Sequence, residues 1–415
     1  MRANLLNEIY LGSNMSLAKM DLTDWPEIQA LADCPQDPEW HAEGNVLIHT
    51  DMVLAECAAI ERELDCYEHG VFRLSCLLHD IEKPKVTTYD EVIKHTIAPG
   101  HERMGGVSSR YLLREMNIPS QERRLISQLV ATHHLVKRAV QNIDKEGGKA
   151  FLERLAARVD TKLLWALELA DMRGRTSADR ANQIEIVQLF KMLCEEMNCF
   201  GKAPTPWLTE EDVKGMPFED SLSMKYALEE THRRRLLGQM TNKYEAEAFC
   251  WNYAKNKEFP AQVIIMVGAS GSGKSQYINH KMAINQNPPW PGNDVGWDVV
   301  STDAIRKELY GDESAKGDGE VFQLANERLR QCFRIHGRVV YDATNTIPDF
   351  RKKVVDLCHD YGAYVTLYVF DLSKEELKER NKQRDRQVPE EVINRQCAKF
   401  EWPLPEEAHK IRIIE

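Results

Sequence analysis

The 415-residue chain has a formal net charge of −11, with 43% hydrophobic and 29% charged residues, an ordinary balance for a soluble globular protein. Its length suggests two or three domains, and no apolar run approaches the roughly 18 residues of a membrane span. The acidic balance excludes a coat bound along the length of DNA or RNA, but leaves room for engagement of a strand end through a local basic groove.

The ten cysteines are scattered without a C-x-x-C pair. That pattern fits a reduced, cytoplasmic compartment better than a disulfide frame or a cysteine zinc site. The N-terminus carries no uninterrupted apolar region of the secretory kind. Residues 1–40 form a mixed lead-in punctuated by Pro26, Pro35 and Pro38, with a short helix expected over 22–32. From His49 to about Phe200 the pattern is helical. Met52, Leu54, Ala55, Ala58, Ala59 and Leu64 fit one amphipathic stripe, and Phe72, Leu74, Leu77 and Leu78 begin a helix that Pro84 breaks. Residues 107–116, 122–135, 151–157 and 163–170 read alike, so 1–203 is expected to form an all-α bundle.

Pro204, Pro206 and Pro217, among acidic residues, mark a surface linker. Residues 226–253 then read as a helix or helix pair bearing His232-Arg233-Arg234-Arg235, so 204–258 is expected to bridge two domains. Over 259–415 strands and helices alternate. Strand candidates are 261–267, 295–300, 339–341 and 363–370; helix candidates are 303–310, 320–336, 348–361 and 373–386. Such alternation predicts an α/β domain with a parallel sheet and helices on both faces. The fold class is therefore multidomain, an N-terminal helical bundle followed by a C-terminal α/β domain.

The β-branched run 261–267 leads into Gly268-Ala269-Ser270-Gly271-Ser272-Gly273-Lys274-Ser275 and a helical stretch. Strand, glycine turn and helix is the context of a G-x-x-x-x-G-K-[ST] phosphate loop, whose alternative is a plain flexible turn. Glycines let backbone N–H groups surround a phosphate, and the helix N-terminus adds positive charge. Lys274 would hold the β- and γ-phosphates of ATP, and the Ser275 hydroxyl would sit on Mg²⁺.

Ser301-Thr302-Asp303 follows the second strand, where ligands gather in open α/β sheets. Asp303 is placed to accept a proton from an attacking hydroxyl, and Arg306, on the same helix face, to clamp an acceptor phosphate. The alternative is a helix N-cap followed by a solvated arginine. Asp342 ends the third strand within Tyr341-Asp342-Ala343-Thr344-Asn345 and suits metal-water or acceptor positioning, or else a turn built by Asp and Asn. Arg380, Arg384 and Arg386 precede Val388-Pro389, as in a mobile lid whose arginines reach the transferring phosphoryl group, or as in a solvated helix face.

These stretches together resemble the 5′-hydroxyl polynucleotide kinases of the phage type: the phosphate loop, S-T-D-x-x-R (Ser301 to Arg306), D-A-T-N (Asp342 to Asn345) and R-N-x-x-R before V-P (Arg380 to Pro389). The resemblance implies Asp303 as general base, Arg306 on the acceptor strand's phosphate, and Arg380 and Arg384 on the ATP phosphates. The same signatures also resemble small-molecule P-loop kinases.

Upstream, His41-Ala42-Glu43-Gly44-Asn45-Val46-Leu47-Ile48-His49-Thr50 and Leu77-Leu78-His79-Asp80-Ile81-Glu82-Lys83 stand out, followed by His101, His133-His134 and Asp171. Adjacent His and Asp offer nitrogen and hard oxygen donors to one metal, and all of these lie on or beside expected helices that could converge in a bundle. H-x-E-G-x-V-x-x-H-T, H-D-x-x-K, H-E-x-x-G (His101 to Gly105) and A-D-x-R-G-R resemble the HD phosphohydrolase superfamily, nearest to the HD modules of bacterial CCA-adding enzymes. That resemblance implies His49, His79, Asp80 and Asp171 as ligands of a divalent transition metal. His101 and one of His133 or His134, with local register favouring His134, are then candidates for a second metal or a phosphate contact. Lys83 and Arg175 would touch phosphate, while His41 and His95 read as structural or exposed.

An HD hydrolase ahead of a phage-type kinase resembles the bifunctional end-healing enzymes of nucleic-acid repair. It implies RNA or DNA strand ends as partners, with a separate ligase acting afterwards. Two further readings stand beside it: a nucleotide-metabolism enzyme pairing an HD nucleotidase with a small-molecule kinase, and a non-enzymatic ATP-gated sensor.

Overall fold

The computed structural model describes residues 9–10, 16–257, 259–282, 296–312, 318–384 and 386–414. The chain divides into two compact units, Met1–Pro204 and Thr205–Glu415.

The first unit is a helical bundle of α1 (Val46–Ile60), α2 (Glu68–Leu78), α3 (His101–Glu115), α4 (Ser120–Thr132), α5 (Leu135–Gln141), α6 (Gly148–Arg158), α7 (Thr161–Gly174) and α8 (Arg180–Glu196). Its core includes Trp25, Phe72, Leu77, Leu129, Leu164, Trp165 and Phe190. Small residues set the spacing of the helices that matter. A Cβ on Gly174 would lie 2.8 Å from the Val53 backbone nitrogen, so only glycine lets α7 approach α1 this closely. A Cβ on Gly106 would meet the Ala131 Cβ and the Ser127 carbonyl at 2.7 Å, so α3 and α4 are in similarly close contact.

Local expectations need correction here. Pro84 breaks no helix: α2 ends at Leu78, and Pro84 sits in the first turn of a separate short helix, Lys83–Val86, where its missing N–H has no partner to lose. The helical bundle also carries β1 (Thr88–Asp90) and β2 (His95–Ile97), which form a short antiparallel ribbon. The expected helix over 22–32 is instead Pro26–Gln29 followed by a 3₁₀ turn at Ala30–Asp33.

The second unit carries a single helical turn, Glu210–Val213, ahead of α9 (Ser221–Leu236) and α10 (Lys243–Lys255). It continues with β3 (Gln262–Val267), α11 (Lys274–Lys281), β4 (Asp298–Ser301), α12 (Thr302–Tyr310), α13 (Asp318–Arg334), β5 (Arg338–Asp342), α14 (Pro348–Asp360), β6 (Tyr364–Phe370), α15 (Lys374–Lys382), α16 (Glu390–Ala398) and β7 (Lys410–Ile414). The sheet is wholly parallel in the order β4-β5-β3-β6-β7. From Val263 onward β3 is buried residue after residue, as an inner strand covered on both faces must be. The expected start of β4 at Val295 lies outside the described residues, as does Asp385.

Residues 205–257 fall within the second unit. Tyr226 on α9 packs 5.1 Å from His409, whose ring stacks on Tyr364 at 4.9 Å. His409 Nδ1 accepts the Val365 N–H at 2.9 Å, so Nε2 carries the proton and faces Glu230 at 3.2 Å.

Candidate active sites

In the first unit the bundle gathers seven of the singled-out residues. Asn45 caps α1 by accepting the Ile48 N–H at 2.9 Å, which starts the helix one turn before His49. His49 Nε2 then meets Asp171 Oδ1 of α7 at 3.0 Å. His79 closes α2, and its Nε2 lies 3.3 Å from Asp80 Oδ2 and 4.0 Å from Asp171 Oδ1. His101 opens α3, and its Nε2 lies 3.2 Å from Asp80 Oδ1. His133 and His134 occupy the junction of α4 and α5, with rings 4.2 Å apart and those of His134 and His101 at 4.8 Å.

Two donor groups result, His49–His79–Asp171 and His101–His133–His134, each with ligand atoms within 4.8 Å of one another. Asp80 turns one oxygen towards each. Both His133 and His134 stand in the second group.

The donor chemistry fits a divalent transition metal. His79, His101 and His133 each place Nδ1 2.7 Å from a backbone carbonyl, of Cys76, Ala98 and Val130 respectively. A carbonyl only accepts, so Nδ1 carries a proton in each ring and Nε2 is the atom left to face an ion. Those three Nε2 atoms and Asp80 Oδ1 are buried without a hydrogen-bond partner, while Asp80 Oδ2 is ion-paired with Lys83. Orphaned donors on this scale are costly unless an ion takes them up.

Electrostatics hold the carboxylates ionised. Burial pushes the Asp80 carboxyl up, but His79, Lys83 and His101 outweigh it and hold it well below the usual range. Burial likewise opposes Asp171, and Arg175 and His49 bring it down. Burial pushes His133 down to about 3, so the ring is a neutral donor near neutrality. Lys83 Nζ rests 2.7 Å from Asp80 Oδ2 and 3.0 Å from Gln36 Oε1, and Arg175 grips both oxygens of Asp171 at 3.0 and 2.6 Å. Both cations also line a cavity of about 400 Å³, together with His101 and His134.

Sequence reasoning passed over Glu43. Its Oε1 lies 2.8 Å from His41 Nδ1 and 3.0 Å from His49 Nδ1, and its Oε2 accepts the Thr176 N–H at 2.9 Å. It thus backs His49 from the side away from Asp171, the place of an orienting carboxylate. His41 is part of this arrangement and lines the cavity, so it is neither exposed nor remote. The signal was present, since Glu43 lies inside the quoted H-x-E-G motif.

In the second unit β3 runs into the glycine loop and α11. Gly271 and Gly273 take φ of +85° and +87°, a region that costs any residue with a Cβ. Lys274 Nζ folds onto the loop, donating to the Gly268 and Ala269 carbonyls at 2.8 and 3.0 Å and lying 3.4 Å from Ser272 Oγ. The Ser275 hydroxyl donates to Asp342 Oδ2 at 2.8 Å, joining the phosphate loop to the end of β5. The Gly268 N–H donates to the Thr344 carbonyl at 2.8 Å, and the Asn345 amide to the Met266 carbonyl at 2.8 Å, so the D-A-T-N turn braces the loop.

Ser301 caps α12, and the exposed Asp303 follows in the first turn. Arg306 donates to Asp303 at 2.9 Å and to Asp318 at 2.8 Å, so contact with an acceptor phosphate requires it to share or exchange a carboxylate. Burial lowers Lys274 despite the fields of Asp342 and Asp303, and Arg384 adds to the lowering. Burial raises Asp342, against Lys274 and Ser275. The fields of Asp342, Asp303 and Arg384 are thus all felt at Lys274. A Cβ on Gly273 would lie 3.5 Å from Arg380 Nη1, which places that arginine over the loop. Asn381 clasps the segment beyond α15, donating to the Val388 carbonyl at 2.8 Å and accepting its N–H at 2.9 Å. A residue not foreseen is Gln396 of α16, whose Oε1 accepts the Ser270 N–H at 2.8 Å.

Among the described residues no helix is long and apolar enough to cross a membrane, and the ten cysteines are free thiols. Comparison with known proteins matches residues 46–172 to the HD domain and residues 263–403 to the AAA domain. The "Multifunctional CCA protein" of Acidovorax sp. (strain JS42) is 32% identical over 166 residues, covering 37% of this chain and 35% of that protein. The protein of the same name from Halorhodospira halophila (strain DSM 244 / SL1) is 32% identical over 116 residues, covering 28% of this chain and 26% of that one. The chain thus spans about a third or less of the length of these curated relatives. It carries an HD-type helical region with His/Asp clusters suited to divalent metal, and a P-loop kinase-type region with a parallel five-stranded sheet.

Proposed function

We propose that this protein heals broken nucleic-acid ends, phosphorylating a 5′-hydroxyl in its C-terminal unit and hydrolysing a 2′,3′-cyclic or terminal phosphate in its N-terminal unit. The observation that carries the reading is two centres of different donor chemistry in one chain. One is a buried His/Asp cluster beside Lys83 and Arg175; the other is a phosphate loop beside Asp303, Asp342 and Arg384.

In the kinase step the acceptor oxygen attacks the γ-phosphorus of ATP, the bond to the β-phosphate oxygen breaks, and ADP leaves. Asp303 takes the hydroxyl proton. Lys274 leaves its loop carbonyls for the β- and γ-phosphates, and Arg380 and Arg384 neutralise the charge spread over the transferring group. Mg²⁺ would be held at Ser275, with Asp342 orienting its water.

In the hydrolytic step water adds to phosphorus and one P–O ester bond breaks, the proton passing to the departing sugar oxygen. His49, His79, Asp80 and Asp171 would hold one divalent ion, with His101, His133 and His134 available to a second. When bound, such ions lower the pKa of water and neutralise phosphate oxygens. Arg175 and Lys83 bind the phosphate from the cavity, and Glu43 keeps the His49 ring in place.

The test uses the full chain with ATP, Mg²⁺ and a 5′-hydroxyl oligonucleotide, and separately with Mn²⁺ and an RNA ending in a 2′,3′-cyclic phosphate. Asp303→Ala is expected to abolish only the first activity and Asp80→Ala only the second. Turnover of free nucleosides and nucleotides without oligonucleotides would favour a nucleotide-metabolism enzyme instead.

A further inference from the structure

The cavity beside the His/Asp cluster has an aromatic component that phosphate chemistry does not use. Trp40 lines it and remains 38% exposed. The indole stacks on His95, with centroids 4.4 Å apart and planes 20° from parallel. That stack is built rather than incidental. Asp37, itself only 5% exposed, lies 3.1 Å from His95 Nδ1 through Oδ2, accepts the Thr96 N–H at 2.8 Å, and accepts the Glu39 N–H at 3.1 Å through Oδ1. One carboxylate therefore fixes both the turn that carries Trp40 and the strand β2 that carries His95.

A rigid indole backed by a second ring presents a flat π-surface at little entropic cost. The same cavity holds the cations Lys83 and Arg175 and the metal-donor histidines His101 and His134. Its volume, about 400 Å³, falls in the range of small-ligand sites. A ligand with an anionic end and a flat aromatic end matches this lining, and a nucleotide is such a ligand.

We propose that Trp40, backed by His95, is a nucleobase platform: the base of the terminal nucleotide stacks on the indole while its phosphate meets Lys83, Arg175 and the His/Asp cluster. This rests on reading the cavity as a phosphoester site and names what that site requires next to the phosphate. Stacking uses the π-face that every base has, so all four bases bind with little preference among them.

The experiment is equilibrium dialysis of the full chain, loaded with Mn²⁺, against adenosine 3′-monophosphate and the base-free 1-O-methylribose 3-phosphate. The wild type is expected to prefer the nucleotide by about 5- to 150-fold, the ratio corresponding to a stacking contribution of about 1–3 kcal/mol. Trp40→Ala should remove the preference by weakening only the nucleotide, and Trp40→Phe should keep most of it. His95→Ala should give an intermediate loss. Unchanged kinase activity and circular dichroism show that the variants are folded. Equal affinities in the wild type, no nucleotide binding at millimolar concentration, or a preference that survives Trp40→Ala overturns the platform. Binding is read without turnover, so the two readings separate. A base preference with no cyclic-phosphate hydrolysis counts against end healing alone, and hydrolysis without base preference counts against the platform alone.

Discussion

Asp80 and His101 face one another with carboxylate Oδ1 3.2 Å from Nε2, while the other oxygen of Asp80 lies 3.3 Å from His79. One carboxylate thus stands between two histidine groups, the place of a residue shared by two ions. Metal content by mass spectrometry should give two ions per chain in the wild type and one in His101→Ala. Asp80→Asn should lower HD-site turnover by about 100-fold or more and reduce binding at both positions. Kinase activity should be untouched in all three proteins. Equal stoichiometry in wild type and His101→Ala would show that the second group holds no ion.

Glu43 touches no expected ligand position except through His49, so its effect should be one of orientation. Glu43→Ala is expected to weaken metal affinity by about 10- to 100-fold, as loss of an outer carboxylate does. Glu43→Gln keeps an acceptor for the imidazole N–H and should lose less. A competitive chelator titration measures both, and equal losses would argue against the orienting role.

The phosphate loop and the His-Asp pair were legible because their chemistry is local: φ values that require glycine, and donors adjacent in sequence. What escaped depends on partners far along the chain. The Trp40–His95 stack and the Asp37 link to it join residues 55 to 59 positions apart, with His95 and Thr96 held in the β1–β2 ribbon. The place of α9 was hidden for the same reason, since Glu230 meets His409 across 179 positions. β7 also went unread. Its Lys410-Ile411-Arg412-Ile413-Ile414 is only partly buried, so its apolar signal is diluted by charge.

The two left-handed glycines of the phosphate loop should differ in cost. A Cβ at Gly271 would meet the Leu377 carbonyl at 2.7 Å, whereas the nearest atom to one at Gly273 is a mobile arginine nitrogen at 3.5 Å. Gly273→Ala carries only backbone strain, about 1–2 kcal/mol. Gly271→Ala adds a clash with the α15 backbone and should lower the urea midpoint of the second unit further. The reverse order would refute the packing argument. Both should raise KM for ATP, since each displaces loop N–H groups.

His359 gives the second unit an acid-sensitive element. Its Nε2 donates to the Glu407 carbonyl at 3.0 Å, while Nδ1 is buried without a hydrogen-bond partner. Burial, aided by Arg233 and His409, pushes its pKa down to about 3 from 6.5. Because the folded value lies below the unfolded one, the unfolded chain takes up the extra proton. The neutral ring's contribution is therefore complete above about pH 6.5 and falls as pH drops towards 3. Glu230 acts in the same direction: burial opposes its ionisation, but Arg233 and His409 lower its pKa, so its contribution is lost on acidification. His359→Gln keeps a donor for Glu407 without a titrating ring. Wild type should lose stability relative to this variant between pH 8 and 5, with a limiting slope of about 1.4 kcal/mol per pH unit once the unfolded imidazole is charged. Calorimetry of the full chain at each pH measures the difference, and a difference independent of pH would exclude His359 as the titrating group.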